Sequence, residues 1–443
     1  MTTTSNLEDS IDGGSEKSES LGIYIHIPFC LKKCAYCDFL SFEDSQVCDN
    51  DKKKYVEAVI NEIKVRAKLI NAGIVDTVFI GGGTPSILEP SLISDIIEAV
   101  KSSFHMAGNS KSDKNFETDS NIEITIEANP KTLTEAKLRS YIKSGINRIS
   151  IGAQSFDDGL LNTLGRAHSA EDIKQTFNMA RDAGFKNINL DLMFAISGQS
   201  MEIWEDTLSK AIELDPEHIS LYGLSIEERT PFYEMFKEGR FEQVSDELDR
   251  KMYHMAIKRL LEAGYVHYEI SNVCKPSYEC KHNIKYWTMR NYLGIGIGAH
   301  SFYYRQKFED FFDKTRSANV VDLDAYIEIN SQYTDDRDAK AALMLVPKLC
   351  GVWTDEFGGI LHSNSESDNI SEYMFTGLRL INGVSLEDFE ARFERPLHEV
   401  YAEEWQAIEK YVEDGFLIIE NGNIRLSQKG IDISNKIMSE FVL

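Results

Sequence analysis

Three cysteines near the N-terminus are close enough in the sequence to hold one inorganic centre. Cys30, Cys34 and Cys37 are separated by three and then two residues, and they directly follow a short alternating apolar run. A structural zinc site uses four ligands, commonly two Cys-x-x-Cys pairs, and no second pair follows at zinc-finger distance. Three clustered thiolates instead favour a four-iron cluster with one iron open to a non-protein ligand. A zinc site completed by His26 or Asp38, or a disulfide, is the alternative.

A glycine-rich segment is the second feature that suggests a binding site. Residues 81–85 read Gly-Gly-Gly-Thr-Pro and follow another apolar run. Glycine has no side chain to obstruct a ligand, and it permits unusual backbone dihedral angles. The Gly-Lys-Ser/Thr ending of a phosphate-binding loop is missing. By itself the segment therefore predicts either a tight turn or a loop that a ligand approaches closely.

Both features follow segments that are expected to be strands of one sheet. Between residues 23 and 225, six runs typical of buried strands alternate with helical patterns, so each connection is long enough for a right-handed crossover. This order predicts an α/β fold, a partial (β/α)6 TIM-like barrel whose chemistry lies at the carboxyl ends of the strands. A doubly wound open sheet is the alternative. The predicted strands are residues 23–27, 77–80, 122–126, 148–152, 188–194 and 219–225.

The chain divides into four predicted segments. Residues 1–20 contain too little apolar sequence to pack, and they are predicted to be a disordered tail. Residues 21–300 are predicted to form the barrel with an extension, and residues 301–365 a connector with helices. Residues 366–443 contain two helical patterns, an Asn-Gly hairpin and a final helix, which predict a winged-helix-like α+β module.

Two shorter segments of the predicted extension have local patterns of their own. Residues 264–270 read as one more strand. Residues 294–298 have a Gly-x-Gly-x-Gly pattern, but no opening strand and no helix flank it as a dinucleotide-binding fingerprint requires. We therefore predict that residues 294–298 form a close-packing loop.

The composition excludes several classes of function. The 443 residues carry a formal net charge of -25, which disfavours nucleic-acid binding because phosphate neutralisation needs basic patches. The seven cysteines form only one tight cluster, which suits a reducing compartment better than a disulfide scaffold. No apolar run approaches membrane-spanning length, and no secretory signal is evident. A cytoplasmic protein without a transmembrane segment is expected.

The cysteine segment resembles a known signature. The spacing Cys-x3-Cys-x2-Cys, with Tyr36 before the third cysteine, resembles the radical S-adenosylmethionine (radical SAM) superfamily. The preceding Tyr-x-His-Ile-Pro-Phe-Cys and the trailing Cys-Asp-Phe resemble the anaerobic coproporphyrinogen III oxidase-like family within it. The resemblance implies a 4Fe-4S cluster on Cys30, Cys34 and Cys37, whose open iron binds S-adenosylmethionine and whose electron cleaves it to a deoxyadenosyl radical.

The same resemblance implies which residues hold S-adenosylmethionine. Its sulfonium, ammonium and ribose groups suit carboxylates and amide oxygens, and its carboxylate suits an arginine. Aromatic side chains beside the cluster would shield it or stack on the adenine. Each such residue alone is an ordinary strand-end hydrogen-bonding group, and only their joint position favours a site. The implied cofactor contacts are Tyr24, Tyr36, Gly82, Gly83, Thr84, Glu127, Gln154, Arg166 and Asp191.

A second motif, His-Asn-x-x-Tyr-Trp, suggests a porphyrin. Histidine can ligate heme iron, and aromatic rings offer flat apolar faces to a porphyrin, although a lone histidine beside aromatics is usually structural. The pattern resembles the heme-binding segment of the HemW-type heme chaperone branch of the family. That resemblance implies heme contacts at His282, Asn283, Tyr286 and Trp287.

One position departs from the oxidase pattern. The oxidases of this family carry a fourth cysteine two residues after the third, where this chain has Phe39. This difference favours a chaperone that binds heme and delivers it to apo-hemoproteins, with an electron donor for the cluster and no assigned catalytic residue. The alternatives are radical decarboxylation of coproporphyrinogen III propionates and, in another class, a radical enzyme acting on RNA.

Overall fold

A computed structural model of the protein describes residues 20–69, 74–108, 122–303, 315–331, 353–354 and 360–443, so the predicted tail lies outside the described residues apart from Ser20. The strands are β1 (Leu21–Ile27), β2 (Phe29–Cys30), β3 (Phe42–Glu43), β4 (Val75–Gly82), β5 (Glu123–Ala128), β6 (Arg148–Gln154), β7 (Ile188–Phe194), β8 (His218–Gly223), β9 (Val266–Glu269), β10 (Asn272–Cys274), β11 (Tyr292–Ile295), β12 (His300–Tyr303), β13 (Thr315–Ala318), β14 (Trp353–Thr354), β15 (Ile360–Ser363), β16 (Val384–Ser385), β17 (Leu417–Glu420) and β18 (Asn423–Leu426). The helices are α1 (Asp49–Leu69), α2 (Pro90–Ser103), α3 (Glu135–Ser144), α4 (Asp158–Thr163), α5 (Ala170–Ala183), α6 (Met201–Glu213), α7 (Pro231–Lys237), α8 (Asp246–Glu262), α9 (Lys281–Trp287), α10 (Leu323–Ser331), α11 (Glu366–Gly377), α12 (Leu386–Phe393), α13 (Leu397–Val400), α14 (Trp405–Glu413), α15 (Gln428–Ile431) and α16 (Ser434–Ser439).

The centre of the fold is a parallel sheet made from the six strands that the sequence predicts. Strands β1, β4, β5, β6, β7 and β8 lie side by side in chain order, and each pair is parallel. A doubly wound sheet would reverse its strand order partway. The doubly wound alternative is therefore wrong, and the partial (β/α)6 arrangement is confirmed.

The barrel is partial because further strands extend the sheet on both sides. Beyond β8 lie β10 and β9, and beyond β1 the order is β11, β12, β13, β15 and β14. Because β11 pairs in parallel with β1, the prediction of a loop is wrong for residues 294 and 295. A Cβ at Gly294 would lie 2.2 Å from the carbonyl oxygen of His300, so the tight return from β11 to β12 requires a glycine there.

Other expectations for the extension need correction. The strand expected over residues 264–270 is β9, but it pairs antiparallel with the unpredicted β10, which is too short to show a periodic pattern. The described part of the expected helical connector contains β13, β14 and β15 as well as α10. Residues 304–314, 332–352 and 355–359 of that connector lie outside the described residues.

The parallel strands have one apolar and one polar face. Successive side chains of a strand point to opposite faces, and the three isoleucines of β1 join the main core with residues of the surrounding helices. Most TIM barrels also fill the barrel interior with branched apolar side chains. Here the inward positions are largely polar, so the interior depends on hydrogen bonds. They include Thr77, Glu123, Thr125, Glu127, Arg148, Ser150, Asn189, Asp191, His218 and Ser220.

The C-terminal module combines helices with a small sheet of order β16-β18-β17. Asn421 and Gly422 both have positive φ and connect β17 to β18, as the Asn-Gly hairpin signal predicts. The helix expected over residues 397–412 divides into α13 and α14. Arg379 attaches the module to the barrel extension, because its carbonyl accepts from the amide of Ile270 at 3.0 Å.

In the described ranges no helix is long and apolar enough to cross a membrane.

A buried carboxylate fixes the extension to the barrel. Glu62 on α1 is fully buried and accepts hydrogen bonds from the Gly296 amide at 3.0 Å, the Tyr326 hydroxyl at 2.6 Å and the Asn319 side chain at 2.8 Å. Arg66 supplies the balancing charge at 3.3 Å. Glu62 therefore holds the loop after β11 and helix α10 against α1.

We expect Glu62→Ala to lower the free energy of unfolding by about 3 kcal/mol, because it removes the charge partner of the buried Arg66 and the acceptor of the Gly296 amide and the Tyr326 hydroxyl. Urea unfolding followed by circular dichroism measures the change. Glu57→Ala is the matched control, since Glu57 is an exposed residue of the same helix and its removal should change stability by less than about 0.5 kcal/mol. Equal losses in the two variants would contradict the proposed role of Glu62.

Candidate cofactor site

The three cysteines lie in a loop that is anchored before and between them. Cys30 ends β2, which pairs with β3, and it is 8% exposed. Cys34 and Cys37 are half-buried, and the Cys37 amide donates to the Cys34 carbonyl at 3.2 Å. The backbone of Ala35 bonds to the end of α4 and to α7. These contacts hold the thiols near the carboxyl end of β1.

The far end of the loop is fixed by a buried histidine. His26 Nε2 donates to the Leu40 carbonyl at 2.9 Å, and its Nδ1 lies 3.0 Å from the Tyr24 hydroxyl. Both ring nitrogens are therefore engaged, which argues against His26 as a zinc ligand. Within the described part of the chain no three His, Cys, Asp or Glu side chains are grouped to hold a single metal ion. A four-iron cluster binds each thiolate at a separate iron, so it needs no such convergence.

The glycine-rich segment lies directly against the cysteine loop. The amides of Gly83 and Thr84 donate to the carbonyls of Ile27 and Phe29 at 2.9 and 2.7 Å. The Thr84 hydroxyl lies 3.7 Å from Cys30 Sγ. A Cβ at Gly83 would lie 3.0 Å from the same sulfur, so glycine is required for this close approach.

Two inward carboxylates lie next to these loops. Glu127 accepts from the Gly82 amide at 3.0 Å, and burial together with the charge of Asp191 raises the pKa of Glu127 to about 8. Asp191 accepts from Ser150 Oγ at 2.9 Å and from Asn189 Nδ2 at 2.8 Å, and burial raises its pKa. A cationic ligand would stabilise both charged forms.

Arg166 and Gln154 complete the side of the site near Cys34. Arg166 Nη1 lies 3.3 Å from Cys34 Sγ, and Nη2 donates to the Gly152 carbonyl at 3.0 Å. Gln154 has a φ of 60°, a strained value for a residue with a side chain. Arg166 Nε and Gln154 Oε1 are buried and have no hydrogen-bond partner among the described residues. Buried polar atoms normally have partners, so these two fit a ligand that offers an acceptor and a donor.

The electrostatics of the thiols also fit a metal centre. Burial raises the pKa of the Cys30 thiol and raises that of Cys37 to about 11. Thiols bind metals as thiolates, and bound metal supplies the positive charge that removes the proton. The Arg166 guanidinium beside Cys34 adds to that charge. A 4Fe-4S cluster therefore suits this loop chemically.

The two expected tyrosines border different parts of the site. Tyr36 packs on Phe232 of α7, with ring centroids 6.5 Å apart. Tyr24 points into the barrel, 6.2 Å from the ring of Phe79. Tyr222, which was not predicted from the sequence, lies on the inward face at the end of β8 and is 44% exposed. Its place after two inward polar residues, at every second position of β8, is the signal that could have found it.

The His-Asn-x-x-Tyr-Trp motif lies elsewhere, on helix α9 at the amino ends of the barrel strands. The Glu123 carboxylate at the start of β5 accepts from the amides of Lys281 and His282, both at 3.2 Å. Asn283 and Trp287 are half-buried, and the Arg379 guanidinium lies 4.3 Å from the Trp287 ring centroid. Helix α9 therefore closes the end of the barrel opposite to the cysteine loop.

The side chain of His282 is enclosed within this end of the barrel. It is 1% exposed, and its ring stacks on Phe79 at 5.4 Å. Its Nδ1 lies 2.9 Å from the Thr77 hydroxyl, and its Nε2 lies 2.9 Å from the Tyr286 hydroxyl. Burial lowers the pKa of His282 to about 3. Both nitrogens are thus occupied in this conformation.

The site residues that the sequence singles out therefore form two groups. The cysteines, the glycine segment, Glu127, Gln154, Arg166 and Asp191 gather at the carboxyl ends of the strands, whereas the motif of α9 does not join them. Sequence reasoning missed the polar inward residues between the groups. Polar side chains at every second position of β5 to β8 were the available signal.

Comparison with known proteins identifies the family to which the chain belongs. Residues 24–211 match the Radical SAM superfamily, and residues 364–433 match the HemN C-terminal domain. The solved structure of coproporphyrinogen III oxidase HemN from Escherichia coli is similar with a TM-score of 0.75 and 21% identity, covering 96% of this chain and 91% of that chain. This structural likeness shows the fold.

The sequence relatives cover nearly the whole chain. Heme chaperone HemW of Bacillus subtilis is 31% identical over 424 residues, which is 95% of this chain and 98% of that protein. Heme chaperone HemW of Escherichia coli is 37% identical over 286 residues, 64% of this chain and 70% of that protein. Radical S-adenosyl methionine domain-containing protein 1, mitochondrial, of Danio rerio is 28% identical over 95% of this chain and 86% of that protein. The chain therefore belongs to the HemW branch of the HemN-like family of radical SAM proteins.

Proposed function

We propose that this protein is a heme chaperone that carries a 4Fe-4S cluster and S-adenosylmethionine and delivers heme to apo-hemoproteins. Full-length relatives named heme chaperones support the proposal. The cluster and S-adenosylmethionine are proposed from one observation in the site. The loop of free thiols contacts Gly83 and Arg166 at the carboxyl ends of the strands.

Each site residue has a role in this proposal. Cys30, Cys34 and Cys37 hold three irons of the cluster, which supplies one-electron chemistry at its open iron when bound. Arg166 stabilises a thiolate and a ligand carboxylate, and Gln154 offers its amide oxygen to a ligand donor. The remaining contacts to S-adenosylmethionine come from Tyr24, Tyr36, Gly82, Gly83, Thr84, Glu127 and Asp191.

The position after the cysteines supports the chaperone over the oxidase. Phe39 stands where the oxidases of this family have a fourth cysteine, and it is 59% exposed. An exposed phenyl ring supplies no metal ligand. We infer that the cluster serves heme handling, with electrons from a separate donor protein, rather than decarboxylation of coproporphyrinogen III.

The heme contact is proposed at His282, Asn283, Tyr286 and Trp287. Because His282 is enclosed with both nitrogens engaged, iron ligation requires its imidazole to leave Tyr286. We therefore propose a closed conformation, the one described, and an open conformation that binds heme.

The acidic net charge supports a protein that works without nucleic acid, and the reduced thiols suit the cytoplasm.

Cluster assembly should depend on the three loop cysteines. We expect Cys34→Ala to lose most of the iron and sulfide bound after anaerobic reconstitution, because three protein thiolates are the minimum for the proposed centre. Cys48→Ala is the control, since Cys48 is an exposed free thiol after the loop. Metal analysis and absorption near 400 nm, the region of iron-sulfur absorption, give the measurement. Zinc retained at one per chain in place of iron would overturn the cluster.

The binding of S-adenosylmethionine should depend on the protonation of Glu127. The pKa of Glu127 is raised to about 8, so the group is neutral below that value and becomes a carboxylate above it. We expect affinity for the cationic ligand to rise about fivefold between pH 7 and 9, within the usual range for a charge-assisted contact. Calorimetric titration should show this rise lost in Glu127→Gln. An unchanged pH profile in that variant would contradict the contact.

Two variants of α9 test whether His282 ligates heme. Tyr286→Phe removes the hydroxyl that competes for Nε2, and we expect about fivefold tighter heme binding, because one neutral hydrogen bond contributes about 1 kcal/mol. His282→Ala should abolish the Soret band of the ligated heme. A ligated Soret band retained in His282→Ala would contradict ligation by His282, and weaker heme binding in Tyr286→Phe would contradict the competition for Nε2.

The same anaerobic samples separate the chaperone from the oxidase. We expect stoichiometric heme binding, transfer of heme to an apo-hemoprotein, and no decarboxylated product from coproporphyrinogen III with S-adenosylmethionine and a reductant. Turnover of coproporphyrinogen III by the reconstituted wild type would overturn the proposed function.

A further inference from the structure

A buried hydrogen-bond chain crosses the barrel interior from Asp191 to the start of α9. Asn189 Nδ2 donates to Asp191 at 2.8 Å, and Asn189 Oδ1 lies 2.6 Å from His218 Nδ1. His218 Nε2 lies 2.8 Å from the Tyr268 hydroxyl. The amide of Cys280, the residue before α9, donates to the same hydroxyl at 3.3 Å. This hydrogen-bond chain therefore links the cofactor edge of the barrel to the helix that carries His282.

Every hydrogen bond of this chain has a fixed direction. The Asn189 amide nitrogen donates to Asp191 and, at 2.7 Å, to Ser150, so its oxygen faces His218 and can only accept. His218 Nδ1 then carries the proton, and Nε2 accepts from Tyr268. Burial lowers the pKa of His218 well below its usual value, which agrees with a neutral ring. Reversal of one bond would leave two buried groups unpaired.

The same helix also carries the imidazole that must leave its partners on heme binding. In the described conformation its amides are held by Glu123, and the imidazole of His282 is held by Thr77 and Tyr286. Iron ligation requires these imidazole contacts to break. On the proposed function, helix α9 therefore has a closed state and an open state, which is the two-state element that coupling between distant sites needs.

We propose that His218 and Tyr268 are positioning residues that couple the ligand at Asp191 to heme binding at His282. Hydroxyl groups of a ligand ribose compete with Asn189 for the Asp191 carboxylate. When Asp191 no longer accepts from Asn189, the other hydrogen bonds of the polarised chain weaken. The bond from the Cys280 amide to the Tyr268 hydroxyl is one of them, and its weakening favours the open state of α9. S-adenosylmethionine therefore tightens heme binding, and heme tightens S-adenosylmethionine binding by the same factor.

This inference deepens the proposed function and rests on it, so the experiment separates the two. Tyr268→Phe removes only the hydroxyl that joins His218 to Cys280. Tyr265→Phe is the matched control, because Tyr265 is a buried tyrosine of the same segment. Its hydroxyl donates to the Pro216 carbonyl, which is not part of the hydrogen-bond chain. Heme is titrated into the wild type and both variants after cluster reconstitution, with and without S-adenosylmethionine. Hydrogen exchange of the amides of residues 281–287 is followed in the same samples.

In the wild type and in Tyr265→Phe, we expect S-adenosylmethionine to tighten heme binding about fivefold, the lower end of usual coupling energies. In Tyr268→Phe, heme should bind about fivefold tighter without S-adenosylmethionine, and adding it should change the affinity less than about twofold. Exchange of α9 should be faster in Tyr268→Phe than in the wild type even without cluster, ligand or heme. This last readout tests the hold on α9 separately from the proposed function.

The outcomes are distinct. Failure of the wild type to bind heme overturns the proposed function, and exchange of α9 in the variants then still decides whether the chain holds the helix. Heme and S-adenosylmethionine that bind independently in the wild type overturn the coupling alone. Exchange and heme affinity in Tyr268→Phe equal to those of Tyr265→Phe would also overturn it.

Discussion

A polar group buried in a protein must find a partner, and this constraint shapes the interior of the barrel. The outward positions of the parallel strands are apolar and pack under helices, whereas the inward positions carry carboxylates, amides, hydroxyls and imidazoles. An unpaired amide or hydroxyl costs several kcal/mol on burial. Most of the inward side chains therefore bond to one another, to the loops at the carboxyl ends or to helix α9 at the amino ends. This network gives the two ends of the barrel fixed positions relative to each other.

The cofactor edge depends on the order of the strands. The cysteine loop follows β1 and the glycine segment follows β4, and these strands are neighbours in the sheet. Glu127 follows on the next strand, and Arg166 reaches back from the segment between α4 and α5 to Cys34. A parallel sheet brings the carboxyl ends of such strands to one edge. Residues separated by more than a hundred positions thereby surround one thiol loop.

His282 combines a structural position with a proposed ligand role. In the closed conformation its partners are Thr77 and Tyr286, and heme iron must compete with them. A binding-competent state that is only partly populated reduces the apparent affinity for the ligand by that fraction. On the proposed function this competition is useful, because a chaperone must release its heme and the imidazole has a partner to return to. The buried carboxylate of Glu123 accepts from the backbone amides at the start of α9. It therefore also contributes to the balance between the closed and open conformations.

The sequence by itself determined the parallel core, because six apolar runs separated by helices permit few other topologies. It also determined the thiol loop, the glycine segment and the polar strand ends, since their residue types are uncommon in such places. It could not determine the strands of the extension, where β10 and β14 are too short to show a period. Nor could it place α9, because a local motif does not specify which end of a barrel it covers.

Only the tertiary structure showed that Tyr24 and His26 face the same interior as His282. The hydrogen-bond chain through Asn189, His218 and Tyr268 likewise joins residues far apart in the sequence, and each of them alone is an ordinary polar residue of a strand. Partners of buried polar groups are chosen by three-dimensional proximity. The sequence therefore identified the chemistry of the site, and the fold decided how that chemistry is connected.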